Sequence, residues 1–248
     1  MESGRWAPGL RADTIGVFYA LDADLKSLRG DSAPTSYSAG GTHWQSFVLA
    51  NHRILAAKMR VGSTETAVTV ASVLAKNVCD VVVSIGPAGC LDATMSVGEK
   101  FKVCEVVGFQ RGSWSGAVWG LASEAVGECG NLPVPLSDMW ASGVRMASGE
   151  AFVAGDAARD RIHNETGTSA IDMNSFGLLQ ACKRAGVKPV ILRAVSDHAG
   201  DAASEEFREF ARSYSGEMGT ILRGAILQLA PSKENPQAHE NLRDLLGE

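Results

Sequence analysis

Apolar residues recur along this chain in two rhythms, and the switches between them predict an alternation of strands and helices. Ile15 to Ala20 (IGVFYA), Val81 to Ile85 (VVVSI), Phe101 to Val107 and Val190 to Val195 are short, nearly continuous apolar runs bounded by turn residues. Such runs predict strands buried on both faces. Helical spacing takes over at Leu21, Leu25 and Leu28, with Asp22 and Asp24 in the first turn. It returns over Thr64 to Ala75, with Ser63 or Thr64 as the cap, and over Asp156 to His163. Ser175 to Ala185 predicts a helix closed by Gly186, and Glu205 to Leu229 a long helical stretch broken near Ser213 to Gly216. Trp44 to Ala50 and Ile54 to Met59 flank Asn51-His52 and predict a hairpin. Arg145 to Ala147 is one more short strand. Gly30 to Thr42 and Gly86 to Gly89 predict loops, and residues 111–142 irregular loops with a short helix.

This order predicts an α/β sheet covered on both faces. No internal repeat or composition break divides residues 14–230, which read as one domain. Residues 1–13 read as a disordered lead-in, and residues 231–248 as a polar linker followed by a short amphipathic helix. The net charge of -5 argues against a nucleic-acid binder. No apolar run is long enough to span a bilayer, and the N-terminus lacks a signal-peptide core, so no membrane association is expected. The five cysteines are scattered, form no CxxC pair and do not cluster with histidines. They predict a reducing cytoplasm, no disulfide framework and no metal site. Neither GxGxxG nor GxxxxGK[ST] occurs, and no cofactor is expected.

Ligands of open α/β sheets bind at the carboxyl ends of strands. Four such ends carry polar or glycine-rich sequence: Leu21 to Asp24, Ser84 to Leu91, Ser148 to Val153 and Arg193 to His198. Arg193, Ser196 and Asp197 close a buried strand with a cation, a hydroxyl and a carboxylate. Asp197 there is either a general acid with a raised pKa or the N-cap of the next helix. The SIGPAG segment, with Gly86, Ala88 and Gly89, either brings backbone close to a ligand or makes a tight turn. Met173-Asn174 either packs under a sugar and binds its hydroxyls, or supplies a core residue and a helix cap.

Taken in order, IGVFYALDADLKSL, MRVGSTETA, VVSIGPAGCLDATMSVGEKFKV, SGEAFV, AIDMNSFGLLQAC and RAVSDHAGDAASEEFREF resemble the 5′-methylthioadenosine/S-adenosylhomocysteine nucleosidases of the purine nucleoside phosphorylase/uridine phosphorylase superfamily. The resemblance spans residues 14–230. It implies a three-layer α/β/α sandwich around a central mixed, partly barrel-like sheet, and cleavage of a purine nucleoside by water. In that reading Asp197 protonates the purine at N7, and Phe152 stacks on the base beside backbone groups of Phe152 and Val153. Met173 packs on the ribose, Phe207 lines the pocket of the 5′ substituent, and Gly86, Ala88 and Gly89 border ribose and nucleophile. Arg193 and Ser196 support the water and the acid. The resemblance also implies a homo-oligomer, taken as a dimer.

Two positions depart from the family pattern. Asn174 replaces the glutamate that holds the ribose hydroxyls, and Asp24 the glutamate that activates water. An amide is neutral, and an aspartate reaches about 1–1.5 Å less far. Arg60 adds a choice, since phosphorylases use an arginine in this stretch for phosphate; here it is a phosphate ligand or a surface ion pair. IGVFYALDAD stands in place of the glycine-containing phosphate loop of the phosphorylases, so hydrolysis is the leading reading. Phosphate-dependent cleavage and a non-catalytic nucleoside-binding role are the alternatives.

Overall fold

The computed structural model describes residues 14–92, 94–115, 118–122, 126–131 and 141–229. The expected lead-in and the tail helix lie outside these residues. The chain begins with β1 (Thr14–Tyr19), α1 (Asp22–Arg29), β2 (Thr35–Ala39), β3 (Thr42–Leu49), β4 (His52–Lys58) and α2 (Ser63–Leu74). Next come β5 (Val81–Cys90), β6 (Lys100–Gly108), β7 (Gly112–Ser115), β8 (Val118–Leu121), β9 (Val126–Glu128) and β10 (Ala141–Ser148). The remainder is α3 (Asp156–Thr166), β11 (Ala170–Asp172), α4 (Ser175–Arg184), β12 (Pro189–Asp197), α5 (Ala203–Ser213) and α6 (Glu217–Gln228).

The main sheet runs β11-β10-β6-β12-β5-β1-β4-β3-β2, with β9 on β6. Because β11 also pairs with β5, strands β5, β12, β6, β10 and β11 close into a ring, from which β1, β4, β3 and β2 extend as an open wing. Parallel pairs (β1–β5, β12–β5, β10–β6) and antiparallel pairs (β12–β6, β11–β5) coexist. This is the expected mixed, partly barrel-like sheet.

Alternation along the strands builds the layers, since successive side chains point to opposite faces. Phe18, Val82 and Ile191 join the apolar cluster under α2 and α4. Their neighbours Val17, Val83 and Val190 join the cluster under α1, α5 and α6. Helices α2 and α4 cross so closely that a Cβ on Gly177 would lie 1.8 Å from the Ser63 carbonyl oxygen, so only glycine fits there. Among the described residues no helix is long and apolar enough to cross a membrane.

Several local expectations are corrected. Residues 35–39 form a strand rather than loop, because Tyr37 pairs with Trp44 of β3 and stacks on it at 5.9 Å. Gly86 to Gly89 continue β5, because β12 runs beside them and β11 pairs with Gly89 and Cys90. The described part of 111–142 holds strands β7, β8 and β9 and the start of β10, and no helix. The hairpin between β3 and β4 turns at Ala50 and Asn51, both with positive φ (52° and 66°), as a two-residue type I′ turn requires.

Candidate active site

The carboxyl ends of β5, β11 and β12 meet at one seam. Gly89 of β5 pairs with Asp197 on one side and with Ile171 on the other. A Cβ at Gly89 would stand 2.9 Å from Asp197 Oδ1 and 3.1 Å from Ile171 Cγ2, so glycine is what lets the carboxylate lie against the sheet. Ala88, beside it, is buried. Gly86 sits lower in β5, opposite Arg193.

Asp197 is 2 % exposed. Ser196 Oγ lies 2.7 Å from its Oδ2 and 3.2 Å from the Ala88 carbonyl oxygen. The Ala199 N–H donates to Oδ1 at 3.0 Å. Burial raises the Asp197 pKa; the bonds from Ser196 and Ala199 oppose the rise, and the Glu206 carboxylate adds to it. Of the two readings left open by the sequence, the helix cap falls away, since α5 begins six residues later with Ala202 at its N-cap.

One wall of the seam is aromatic. Phe152 follows β10 and is 46 % exposed. Its ring meets Phe207 of α5 edge to face, centroids 5.9 Å apart. Val153 is buried with Ile171, which pairs with Gly89, and with Ala199, two residues after Asp197.

The opposite wall is the turn after β11. Asp172 Oδ1 accepts the N–H groups of Asn174 and Ser175, at 3.2 and 3.1 Å, and so caps α4. Asp172 Oδ2 accepts from Ser175 Oγ (2.6 Å) and from Arg193 Nε and Nη2 (3.0 and 2.9 Å). Arg193, 1 % exposed, also reaches Ser84 Oγ, Ser175 Oγ and the Leu192 carbonyl. Each guanidinium nitrogen is thus committed to protein acceptors, and through Asp172 and Ser175 Arg193 holds the Met173-Asn174 turn. The Asn174 side chain is not the cap expected of it. Its Nδ2 donates to the Arg60 carbonyl and to Thr66 Oγ1, both at 2.7 Å.

Helix α2 has Gly62 at its N-cap, not Ser63 or Thr64. A distant carboxylate does the capping: Glu150 Oε1 accepts from Thr64 N (2.9 Å) and Thr64 Oγ1 (2.8 Å). The Arg60 side chain is 76 % exposed and 3.5 Å from Glu65, which is the ion-pair reading.

Asp24 is fully buried in α1. Its Oδ1 accepts from Tyr214 Oη (2.6 Å) and Gly219 N (3.1 Å), while Oδ2 has no partner among the described residues. Burial lifts its pKa to about 6 against the pull of those two bonds. Asp24 stands under the start of α6, apart from the Asp197 hydrogen bonds, and the Arg193 charge favours its ionised form.

Four contributors carry no local sequence signal: Asp172, Glu150, Tyr214 and Glu206. Asp172 is the nearest to visible, as the first letter of the DMN segment.

A ring-and-wing mixed sheet carries a buried carboxylate at its strand ends, between an aromatic wall and a Met-Asn turn, and part of the chain is similar to the phosphorylase superfamily. That family's profile matches residues 121–227. A 5′-methylthioadenosine/S-adenosylhomocysteine nucleosidase of Exiguobacterium is 24% identical over 238 residues, covering 90% of this chain and 99% of its own. The fold is shared with a Helicobacter pylori nucleosidase mutant holding 5′-methylthioadenosine in its active site, at TM-score 0.77 and 19% identity, covering 86% of this chain and 98% of that one. It is also shared with Helicobacter pylori futalosine hydrolase, at TM-score 0.76 and 18% identity, covering 86% and 97%.

Proposed function

We propose that the protein hydrolyses the N-glycosidic bond of a purine nucleoside, with a 5′-modified adenosine as substrate. The observation that carries this reading is Asp197: a buried carboxyl, pushed toward its protonated form, at the seam of β5, β11 and β12 beside the Phe152–Phe207 wall. Cleavage expels a purine and leaves positive charge on the sugar. A proton delivered to N7 makes the purine a better leaving group. Phe152 stacks on the base and Phe207 borders the 5′ substituent. Met173 supports the ribose, and Asn174 accepts from a ribose hydroxyl. Asp24 takes the proton of the attacking water through Oδ2, the oxygen that Tyr214 and Gly219 leave free.

Water rather than phosphate as nucleophile is supported by the local charges. Glu150 fills the anion position at the start of α2, Arg193 is neutralised by Asp172, and Arg60 faces Glu65. Five free cysteines accord with a cytoplasmic enzyme. A homodimer and a single domain over residues 14–230 complete the reading.

The test is release of free base from 5′-methylthioadenosine, S-adenosylhomocysteine, futalosine, adenosine and inosine, each with and without phosphate. Phosphate-independent release, reduced about 10²–10⁴-fold in Asp197→Asn, is expected. Release that requires phosphate and yields a sugar 1-phosphate overturns the hydrolytic reading. Ligand-induced stabilisation without turnover of any substrate overturns the enzymatic one.

A further inference from the structure

Directly after Asp197 the chain makes a turn whose geometry is held from outside the sheet. His198 N donates to Glu206 Oε2 at 2.8 Å, and the His198 ring places Nδ1 3.1 Å from Glu206 Oε1. Both oxygens of one carboxylate are therefore spent on one residue. The N–H that Glu206 accepts belongs to the peptide linking Asp197 to His198, one bond from the Asp197 Cα. The next residue, Ala199, has φ of 52° and returns its N–H to Asp197 Oδ1. A non-glycine residue keeps such a backbone only where its surroundings enforce it. Glu206 also sits one position before Phe207, whose ring meets Phe152.

We propose that Glu206 is the positioning residue of the acid: by gripping His198 through both oxygens it locks the 197–199 turn to α5, and so sets the Asp197 carboxyl in register with the Phe152–Phe207 wall. The catalytic meaning of this lock rests on the hydrolase reading of Asp197. The lock itself does not.

Among the described residues Glu206 is the charged side chain hydrogen-bonded to His198. From α3, Asp156 and Arg159 stand against Gly200, and they are paired with each other at 2.9 Å. On the far side Lys100 and Glu209 share a cleft of about 470 Å³ with Glu206, and Lys100 is hydrogen-bonded to the Gly98 carbonyl at 3.1 Å. Burial opposes ionisation of Glu206, yet the two bonds from His198 keep its pKa below the usual value, so it grips as a carboxylate. The same charge raises the proton affinity of Asp197.

The experiment compares Glu206→Gln, Glu206→Ala and Glu209→Gln with wild type. Glu209→Gln removes the same charge from the same helix, and among the described residues Glu209 makes no hydrogen bond or ion pair with His198. The first readout needs no substrate: the ¹³C carboxyl titration of Asp197, assigned with Asp197→Asn. In Glu206→Gln the midpoint is expected to fall by about 0.5–1 pH unit, the size of one charge acting across a partly solvated gap. Glu209→Gln is expected to leave it in place. The second readout is kinetic. Glu206→Ala is expected to lower kcat about 10–100-fold with KM changed less than threefold, and Glu206→Gln to move the alkaline limb of kcat/KM downward. An unmoved midpoint in Glu206→Gln, or an equal shift in Glu209→Gln, overturns the proposal. Loss of activity through KM alone also overturns it. Full activity in Asp197→Asn removes the role of Asp197 as the acid instead and leaves the titration result standing.

Discussion

Asn174 spends both hydrogens of its amide on the α2 side of the site, one on the Arg60 carbonyl and one on Thr66 Oγ1, each at 2.7 Å. What it presents to a ligand is therefore the carbonyl oxygen, a pure acceptor. The amide keeps the hydrogen-bonding sense of the carboxylate it replaces in the family pattern and loses only the charge.

This relationship makes Asn174→Asp a poor repair. The new carboxylate faces the Arg60 carbonyl with no hydrogen to offer, and two bonds worth about 1 kcal/mol each are lost. Thermal unfolding is expected at a lower temperature, with kcat no higher than wild type. Asn174→Ala is expected to weaken kcat/KM about tenfold for ribosides and to leave 2′,3′-dideoxy nucleosides nearly unaffected. Equal losses for both substrate types would separate Asn174 from the sugar.

With Asp24 as the proposed base, this carboxyl is expected to set the acidic limb of the pH profile. A base must be ionised to act, so kcat/KM is expected to fall tenfold per unit below about pH 6, the value to which burial lifts this carboxyl. The stability effect has the opposite sense. The folded state holds this proton more tightly than the unfolded chain, whose value is near 3.8. The group's favourable contribution is therefore complete below about 3.8 and lost as pH rises through about 6. Asp24→Asn is expected to abolish the acidic limb together with most activity. It should raise the melting temperature at pH 8 relative to wild type more than at pH 4. A limb that survives in this variant assigns it to another group.

Gly89→Ala tests the seam. The added methyl must displace either Asp197 Oδ1 or Ile171 Cγ2. A shift of about 1 Å in the acid is expected to lower kcat about 10²-fold, with about 1–3 kcal/mol of destabilisation measured by urea unfolding. An active, stable Gly89→Ala enzyme would show that Asp197 need not lie against β5.

Glu150 is expected to act through α2. Glu150→Ala removes the carboxylate from the Thr64 N–H and hydroxyl and should cost about 0.5–2 kcal/mol of stability. With the anion position open, sulfate or phosphate should then stabilise the variant more than the wild type in a thermal-shift titration. Identical salt responses would count against an anion position there.

The parts of this architecture that were legible in the sequence are those whose signal is local. Val81 to Ile85, Val190 to Val195 and the Ser175 helix carry their own periodicity and stops, and Asp197 declares itself by standing at the end of an apolar run. What could not be read depends on pairing with distant residues. Thr35 to Ala39 have loop composition and become a strand only because Trp44 lies across from Tyr37. Gly86 to Gly89 read as a turn until β11 and β12 are laid beside them. The same limit applies at the site: Asp24 looks like an ordinary first-turn acid, and only the fold brings Tyr214 to it. Asn174 looks like a cap, and only the crossing of α2 and α4 turns its amide toward Arg60.

The closed ring of β5, β12, β6, β10 and β11 bears on how activity appears during refolding. Gly89 and Ile171 form the pairing that shuts the ring, and they are far apart along the chain. Pairings between distant segments carry a large loop-closure cost and form slowly. Asp197 gains its place against Gly89 through the β12–β5 pairing, which also joins distant segments, so an intermediate with helices and wing already formed but these strands unpaired has no acid in position. Recovery of turnover should therefore trail recovery of helical signal, and enzymatic activity is a clock for the last step of folding.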